Sequence, residues 1–230
     1  MNERVLILTG YDDRMKEVGD LCSATHKEYA RCWGFSQETV RQYRPGTHPS
    51  WQKIRLIQER IDRYDIMVWL DADTVVTNMA TDVRSLVSDR HVMTISVDWC
   101  APVVDDDQFG TMPRTQYVSC GNFAIRHTDQ MRMFLDTWER HDRYSKRSIC
   151  CWEQDGLREA MRRLPWFDAW IYRHPRWIFN AVHPECTNKD FPDGPPHPWE
   201  LGHFLLHLTN VDRLRILREL QQRGLVPLGQ

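Results

Sequence analysis

The stretch from Tyr64 to Asn78, YDIMVWLDADTVVTN, constrains the fold more than any other part of the chain. Its apolar run Ile66–Leu70 has no polar alternation, which is typical of a strand buried on both faces of a sheet. Two carboxylates, Asp71 and Asp73, follow directly. Because residues i and i+2 of an extended chain point the same way, we expect both acids to reach one object at the carboxyl end of the strand, where open α/β sheets bind ligands.

The pair of Asp71 and Asp73 has two explanations at this stage. Two like charges at the mouth of an apolar strand are costly unless a cation or ligand hydroxyls compensate for them, and a divalent metal that carries a diphosphate would do so. A D-x-D pattern is short, however, and the same residues are typical of a solvated turn after a strand. The rest of the sequence has to decide between a metal site and a turn.

Length and composition limit the classes of protein to consider. The 230 residues suffice for one large domain, and 30 basic against 32 acidic residues give a formal charge of −2, with no long basic run, so we predict no nucleic-acid partner. We interpret the seven cysteines, which include no C-x-x-C pair, as reduced thiols. With no signal peptide and no apolar stretch long enough to span a bilayer, we predict a cytoplasmic protein without a transmembrane segment.

Strands and helices alternate early in the sequence and become shorter and more mixed later, which favours an α/β sandwich. The predicted strands are Val5–Leu8, Glu38–Tyr43, Ile66–Leu70, His91–Val97, Val118–Arg126, Asp168–Tyr172, Trp177–Phe179 and an apolar run at Phe204–Leu208. The first predicted helix ends at Trp33. Further helices are predicted at Pro49 or Ser50 to Tyr64, Thr81–Asp89, Thr128–Arg143, Cys150–Arg163 and Val211–Gly224. The segment Cys100–Tyr117 is a predicted loop near the site, and its acidic triplet Asp105–Asp107 is interpreted as solvated or acceptor-facing because consecutive side chains diverge.

Two further segments carry candidate binding residues. Thr9, Gly10 and Tyr11 place a hydroxyl, a bare backbone and an aromatic ring after the first strand, where they could hold a nucleobase or form an ordinary loop. Lys53 lies near the start of a predicted helix, where its charge opposes the helix dipole. A lysine in that position has some other use or simply extends into water.

Five separated motifs line up in order along the chain. They are Ser50-Trp51-x-Lys53-Ile54, MVWLDAD up to Asp73, Cys120-Gly121-Asn122-Phe123-x-Ile125-Arg126, Glu153-Gln154-Asp155-Gly156-Leu157 and His203-Phe-Leu-Leu-His207-Leu-Thr. In order and spacing they resemble the GT-A-fold glycosyltransferases, and most of all the retaining galactosyl-, xylosyl- and mannosyltransferase family typified by galactomannan galactosyltransferase and xyloglucan xylosyltransferase. The resemblance covers Trp51 to Thr209.

The resemblance implies an α/β fold of the GT-A type, with a mixed central sheet flanked by helices. From the order of strands and helices we predict one catalytic domain over residues 1–230, with a nucleotide-binding half at 1–98, an acceptor half at 99–210 and a C-terminal helix at 211–230. The implied reaction moves a sugar from a nucleotide diphosphate sugar, a UDP-sugar, to a hydroxyl of a glycan or glycoconjugate with retention. The donor and the acceptor would be the partners.

The resemblance also implies roles for residues at matching positions. Mn²⁺, with Mg²⁺ as the alternative, would be held by Asp73 directly, by His207 and less directly by Asp71. The predicted donor-binding residues are Thr9, Gly10 and Tyr11 after the first strand, together with Lys53, Asp71, Ala72, Asp73 and Gly121. The catalytic group, facing the donor sugar or the acceptor, would be Glu153, Gln154 and Asp155.

The motifs depart from the family pattern in two places, and simpler explanations stay open. Ser119 stands where the family has an amide, and Asn210-Val211 replaces the usual Gly-Cys after the late histidine; both changes bear on the donor and acceptor rather than on the fold. A lone histidine such as His207 or His203 is often a core or solvated residue, and the acidic cluster at 153–155 would also suit the start of a helix.

Three other functions compete with sugar transfer. A non-catalytic nucleotide-sugar or glycan-binding module would suit the ten tryptophans but leaves the ordered metal-type residues without a purpose. A sugar nucleotidyltransferase of related fold would be expected to carry a Gly-rich basic loop after the first strand, which Thr9 to Asp13 does not supply. A metal-dependent hydrolase would turn over the donor without an acceptor.

Overall fold

The computed structural model describes residues 3–98, 118–140, 152–187, 195 and 197–227. In that part of the chain the strands are β1 Val5–Gly10, β2 Ser36–Val40, β3 Ile66–Leu70, β4 Thr74–Val76, β5 Met93–Val97, β6 Val118–Arg126, β7 Ile171–His174 and β8 Leu205–His207. The helices are α1 Lys16–Trp33, α2 Pro49–Gln58, α3 Asp129–Glu139, α4 Trp152–Arg163, α5 Pro165–Asp168, α6 Arg176–Phe179 and α7 Arg213–Gln222.

A six-stranded mixed sheet forms the centre, in the order β2-β1-β3-β6-β5-β7. β1 is parallel to β2 and β3, and β5 is parallel to β7, whereas β6 is antiparallel to β3 and β5. Alternate residues of β1 and β3 pack against α2 on one face and α1 on the other, so both strands are buried throughout. The predicted α/β fold with a mixed central sheet flanked by helices is confirmed.

A small second sheet brings the end of the chain to the D-x-D segment. β4 begins directly after Asp73 and pairs antiparallel with β8, with Thr74 opposite His207. α7 follows β8 and packs on α1 through an apolar cluster that includes Val18 and Leu217. The late histidine therefore arrives at the carboxyl end of β3 by strand pairing.

Most predicted elements are present with shifted ends. β6 has the predicted bounds. The helix predicted to reach Tyr64 ends at Gln58, and a 3₁₀ turn at Ile61–Arg63 keeps Ile61 buried. β2 lies earlier than the predicted Glu38–Tyr43 because it pairs residue for residue with Leu6–Gly10 of β1.

Two predicted elements are wrong. The predicted strand Trp177–Phe179 is part of the helical turn α6, which follows Pro175, because an apolar run of this length has no periodicity that distinguishes the two. The predicted helix over residues 81–89 is only a 3₁₀ turn at Val83–Leu86. There the Asp82 side chain accepts the Arg84 N–H and the Ser85 hydroxyl donates to the Asp82 carbonyl, bonds that compete with a longer helix.

Some predictions are not tested by these elements. The predicted loop Cys100–Tyr117, with Asp105–Asp107, lies outside the described residues. The division at residues 98 and 210 and the cytoplasmic location stay predictions. Among the described helices, none combines the length and apolar character that crossing a bilayer requires.

Candidate active site

A cavity of about 480 Å³ opens at the carboxyl ends of β1 and β3. Both strands end there because they are parallel neighbours, and the segments that follow them, starting at Tyr11 and Asp71, leave the sheet at the same edge. Its lining includes seven residues that the sequence predicts for the site, namely Gly10, Tyr11, Lys53, Asp71, Ala72, Asp73 and Glu153. The predicted donor segments and the first residue of the predicted catalytic group thus meet in one place.

Asp71 lies at the end of β3 and uses its two oxygens for different contacts. Oδ1 accepts hydrogen bonds from Lys53 Nζ at 3.0 Å and from Trp69 Nε1 at 2.7 Å. Oδ2 lies on the side of Gly121, where an added Cβ would come within 3.4 Å of Oδ2 and 2.8 Å of His207 Cε1. The glycine inside β6 therefore leaves the space in which the histidine approaches the carboxylate.

Lys53 is a buried cation with two carboxylate partners. Its side chain is 3% exposed, and Nζ lies 3.0 Å from Asp71 Oδ1 and 2.7 Å from Glu153 Oε1. Nζ also donates to the Cys120 carbonyl at 2.8 Å. Burial lowers the pKa of Lys53, but the two carboxylates outweigh burial and raise the pKa above its usual value. Lys53 is therefore charged, with each partner in hydrogen-bond contact.

Asp73 faces the end of the chain instead. Its Oδ1 lies 3.3 Å from His207 Nε2, and its Oδ2 accepts a hydrogen bond from Arg213 Nε at 2.9 Å. Burial raises the pKa of Asp73, but His207 and Arg213 outweigh burial and hold the pKa well below its usual range. His207 Nδ1 donates to Asn180 Oδ1 at 2.6 Å, so Nε2 is the nitrogen that faces Asp73; burial lowers the pKa of His207, but Asp73 outweighs burial and raises it.

Asp71, Asp73 and His207 fit a divalent cation. Each offers one ligand atom, and these atoms lie within 4.8 Å of one another. Two carboxylate oxygens and one imidazole nitrogen form a donor set that suits Mn²⁺. The bond from His207 to Asn180 is the kind of contact that orients a metal-binding histidine.

The sequence matches the galactosyl transferase GMA12/MNN10 family over residues 1–212, which is most of the chain. The chain belongs to this family. It is therefore a glycosyltransferase, and the predicted resemblance is confirmed. No curated protein matches the sequence.

Solved structures of similar fold are also glycosyltransferases. One involved in the glycosylation of the major capsid of PBCV-1 has a TM-score of 0.67 and 13% identity, with 95% of this chain and 99% of that chain covered. The galactosyltransferase LgtC has a TM-score of 0.58 and 14% identity, with 96% and 99% covered. GlyE of Streptococcus pneumoniae TIGR4 has a TM-score of 0.54 and 10% identity, with 100% and 66% covered. At these identities the similarity shows the GT-A fold alone.

The three predicted catalytic residues of the glycosyltransferase lie at the start of α4 and have different neighbours. Glu153 lines the cavity and contacts Lys53. The Gln154 amide donates to Asp98 at 2.7 Å and accepts the Cys120 N–H at 3.0 Å. Asp155 pairs with Arg158 of the same helix at 3.0 Å. Within the described residues, Glu153 alone of the three is part of the cavity lining.

Thr9, Gly121 and His203 complete the list of predicted positions. Thr9 is fully buried in β1 and does not line the cavity, although Gly10 and Tyr11 after it do. Gly121 contributes space rather than a side chain. His203 lies before β8, and its Nδ1 accepts the Glu200 N–H at 3.1 Å, so it does not join His207 at the carboxylates.

Nine residues of the cavity wall are not among the predicted site residues, and Trp69, Tyr43 and Arg213 are three of them. Trp69 belongs to the apolar strand, but its position two residues before Asp71 on one face was a usable signal. Arg213 begins α7, where a positive charge opposes the helix dipole as it does for Lys53. Tyr43 left no comparable signal, since the sequence predicts it only as the end of the strand Glu38–Tyr43, whereas it lies in the loop after β2.

Proposed function

We propose that this glycosyltransferase moves a sugar from a UDP-sugar to a hydroxyl of a glycan, with a bound Mn²⁺ and with retention at the anomeric carbon. The observation that carries the proposal is the group of Asp71, Asp73 and His207, whose ligand atoms lie within 4.8 Å of one another and whose two carboxylates line the cavity. Metal-type ligands at the carboxyl end of a parallel strand pair are the arrangement expected for a nucleotide diphosphate held through a cation.

Two cations flank the metal-type group, and they suit the two ends of a sugar diphosphate. Arg213 is 36% exposed and contacts Asp73, so its guanidinium can turn to a phosphate oxygen once an ion takes over the carboxylate. Lys53 is fixed by Asp71 and Glu153 and is suited to the sugar end of the donor.

The nucleobase is assigned to the wall formed by Gly10, Tyr11 and Tyr43. The Tyr11 ring rests on Gly19 of α1, where an added Cβ would come within 2.7 Å of the ring, and its hydroxyl donates to Asp20 at 2.7 Å. Gly10 lies close to Tyr43, since a Cβ there would be 3.0 Å from the Tyr43 oxygen. Both tyrosines line the cavity, and a planar base suits an aromatic wall of this kind.

The proposed mechanism assigns one task to each group. When bound, the ion supplies Lewis-acid charge that offsets the charge on the leaving diphosphate. Glu153 contacts Lys53 and as a carboxylate would stabilise positive charge at the anomeric carbon; burial raises the pKa of Glu153, and Lys53 opposes that rise. If the acceptor approaches from the side of the leaving group, a phosphate oxygen of the donor takes the proton and retention follows. If the enzyme inverts, Asp98, Glu153 or Asp155 must act as general base, and of these Glu153 lines the cavity.

A thermal-shift screen of nucleotide sugars with Mn²⁺, followed by anomeric analysis of the product, tests the proposal. UDP-sugars are expected to stabilise the protein only with Mn²⁺, and His207→Ala is expected to remove that stabilisation without unfolding the chain. Wild-type Mn²⁺ dependence in this variant would remove His207 from the site.

The rival functions give different outcomes in the same experiment. Saturable donor binding without turnover would favour a binding module. Full donor turnover without an acceptor would indicate a hydrolase. Formation of nucleotide sugar from a nucleoside triphosphate and a sugar phosphate would indicate a nucleotidyltransferase.

A further inference from the structure

Asn122 of β6 contacts both ends of the D-x-D turn, residues Asp71 to Thr74, through one oxygen atom. Its Oδ1 accepts a hydrogen bond from the Asp71 N–H at 3.2 Å and another from the Thr74 hydroxyl at 2.9 Å. The turn itself is closed by the Thr74 N–H, which donates to the Asp71 carbonyl at 3.0 Å. Asn122 lies 48 residues after Thr74 in the chain, so these contacts are made by the fold and not by the local sequence.

The D-x-D turn connects the three residues that offer ligand atoms to an ion. Asp71 begins the turn, and Asp73 lies within it. Thr74 ends the turn and pairs with His207 where β4 meets β8. The Leu208 N–H donates to the Asp73 carbonyl at 2.8 Å, so the middle of the turn is also tied to β8. A side chain that fixes Asp71 relative to Thr74 therefore fixes the two carboxylates and the histidine relative to one another.

The Asn122 amide is not explained by packing or by the needs of the backbone. The residue is fully buried and lies opposite Leu70 in the pairing of β6 with β3. Among the described residues, its Nδ2 has no hydrogen-bond partner, and a buried donor without a partner costs free energy that an apolar side chain of similar shape would not. The Asp71 N–H already donates to the Gly121 carbonyl at 2.9 Å. What the amide adds is the second, shared contact of Oδ1 with the turn.

We propose that Asn122 is a positioning residue for the metal site: it holds the D-x-D turn in the shape in which Asp71 and Asp73 face one ion. It contacts the backbone of Asp71 and the hydroxyl of Thr74 rather than a carboxylate, so it acts by orienting the ligands and does not bind the ion. Groups that orient metal ligands in this way contribute about tenfold to a hundredfold to metal affinity. This inference rests on the proposed function.

Equilibrium dialysis with labelled UDP over a range of Mn²⁺ concentrations tests the positioning role without requiring turnover. Asn122→Leu is expected to raise the Mn²⁺ concentration for half-maximal UDP binding about tenfold, and Thr74→Val, which loses one of the two bonds, about threefold. The double variant should rise no further than Asn122→Leu, because that variant has already lost the bond to Thr74. Thr94→Val is the matched control: Thr94 is fully buried in the same sheet, and among the described residues its hydroxyl has no partner to lose.

Two further measurements separate positioning from a merely structural contact. At saturating Mn²⁺ the variants should bind UDP within about twofold of the wild type, and without metal their urea midpoints should lie within about 0.5 M of it. An unchanged Mn²⁺ requirement in Thr74→Val, an additive rise in the double variant, or an equal rise in Thr94→Val would overturn the role of Asn122. Thr74→Val and its control decide the matter if Asn122→Leu does not fold. If wild-type UDP binding does not depend on Mn²⁺, the proposed function fails first and the positioning role with it.

Discussion

The two carboxylates of the D-x-D segment are two residues apart and lie in different surroundings. Asp71 faces Lys53, a cation that is 3% exposed and fixed by Glu153 as well. Asp73 faces Arg213, the first residue of a helix near the end of the chain, and the Arg213 side chain is 36% exposed. One cation is part of the core and the other lies at its surface.

The difference shows how one short motif can serve two tasks. A buried ion pair is costly to break because the partner charge is left without solvent, whereas a half-exposed pair exchanges readily with water or another ion. We therefore expect the Asp71 side of the site, which contains Lys53, to be a permanent part of the fold. The Asp73 side, which contains Arg213, should be the part that rearranges when metal and diphosphate bind. Four measurements test this comparison.

The largest effect is expected for Lys53→Met, which leaves the buried Glu153 and the half-buried Asp71 without their cation. Its free energy of unfolding should fall by about 3–5 kcal/mol, measured by urea denaturation. Adding Glu153→Gln should restore part of the loss, because one buried charge is removed with its partner. A single variant as stable as the wild type would show that Lys53 is not structural.

Asp73→Ala is expected to lower the affinity for UDP with Mn²⁺ by more than about a hundredfold, since even residues that only orient a metal ligand contribute up to that much. Calorimetry with Mn²⁺ and with EDTA measures the change. Asp89→Ala is the control, because its carboxylate is 91% exposed and pairs only with Arg126 among the described residues. UDP binding that is the same with and without EDTA in the wild type would contradict the metal assignment.

The sequence predicts the Asp71 side of this comparison better than the Asp73 side. β3 could be predicted because it is an unbroken apolar run, and β6 because it contains the apolar run Phe123–Ile125 close to Gly121; both strands end in the motif residues themselves. Lys53 carried its own signal as a cation at the start of a helix. Local pattern was sufficient because these residues belong to regular elements of the central sheet and the helix that covers it.

The Asp73 side depends on contacts that no local pattern contains. His207 reaches Asp73 through the pairing of β4 with β8, two strands too short for a clear alternation. Asn180 follows α6, which lies in the segment predicted as a strand, so its bond to His207 could not be foreseen. The family resemblance identified the histidine, but it did not identify Arg213 or Asn180.

The pH dependence of stability that His26 causes shows how strongly this residue holds the Asp73 side in place. This residue of α1 is fully buried, and its Nε2 donates to the Thr74 carbonyl at 2.7 Å, directly after Asp73. Burial lowers the pKa of His26 from 6.5 to about 4, although the bond to Thr74 opposes the shift. Because the unfolded chain takes up this proton first, stability should fall as the pH falls from about 6.5 toward about 4 and be unaffected above that window.

The expected loss is about 2–3 kcal/mol between about pH 7.5 and about pH 4.5, measured by urea unfolding at each pH. His26→Gln keeps a donor for Thr74 but cannot titrate, so the difference between the two proteins isolates this residue from all other groups. Parallel pH profiles for wild type and variant would show that His26 does not contribute.

The smallest effect on stability is expected for Arg213→Gln, and it distinguishes the two sides most sharply. Its free energy of unfolding should change by less than about 1 kcal/mol, because the ion pair with Asp73 is partly solvated. The dissociation constant of UDP with Mn²⁺ should nevertheless rise about tenfold, since a charged hydrogen bond to a phosphate is lost. Arg218→Gln, an exposed residue of the same helix, should change neither quantity. A stability loss as large as that of Lys53→Met would mean that both cations are structural, and the side of the site that rearranges on binding would have to be sought elsewhere.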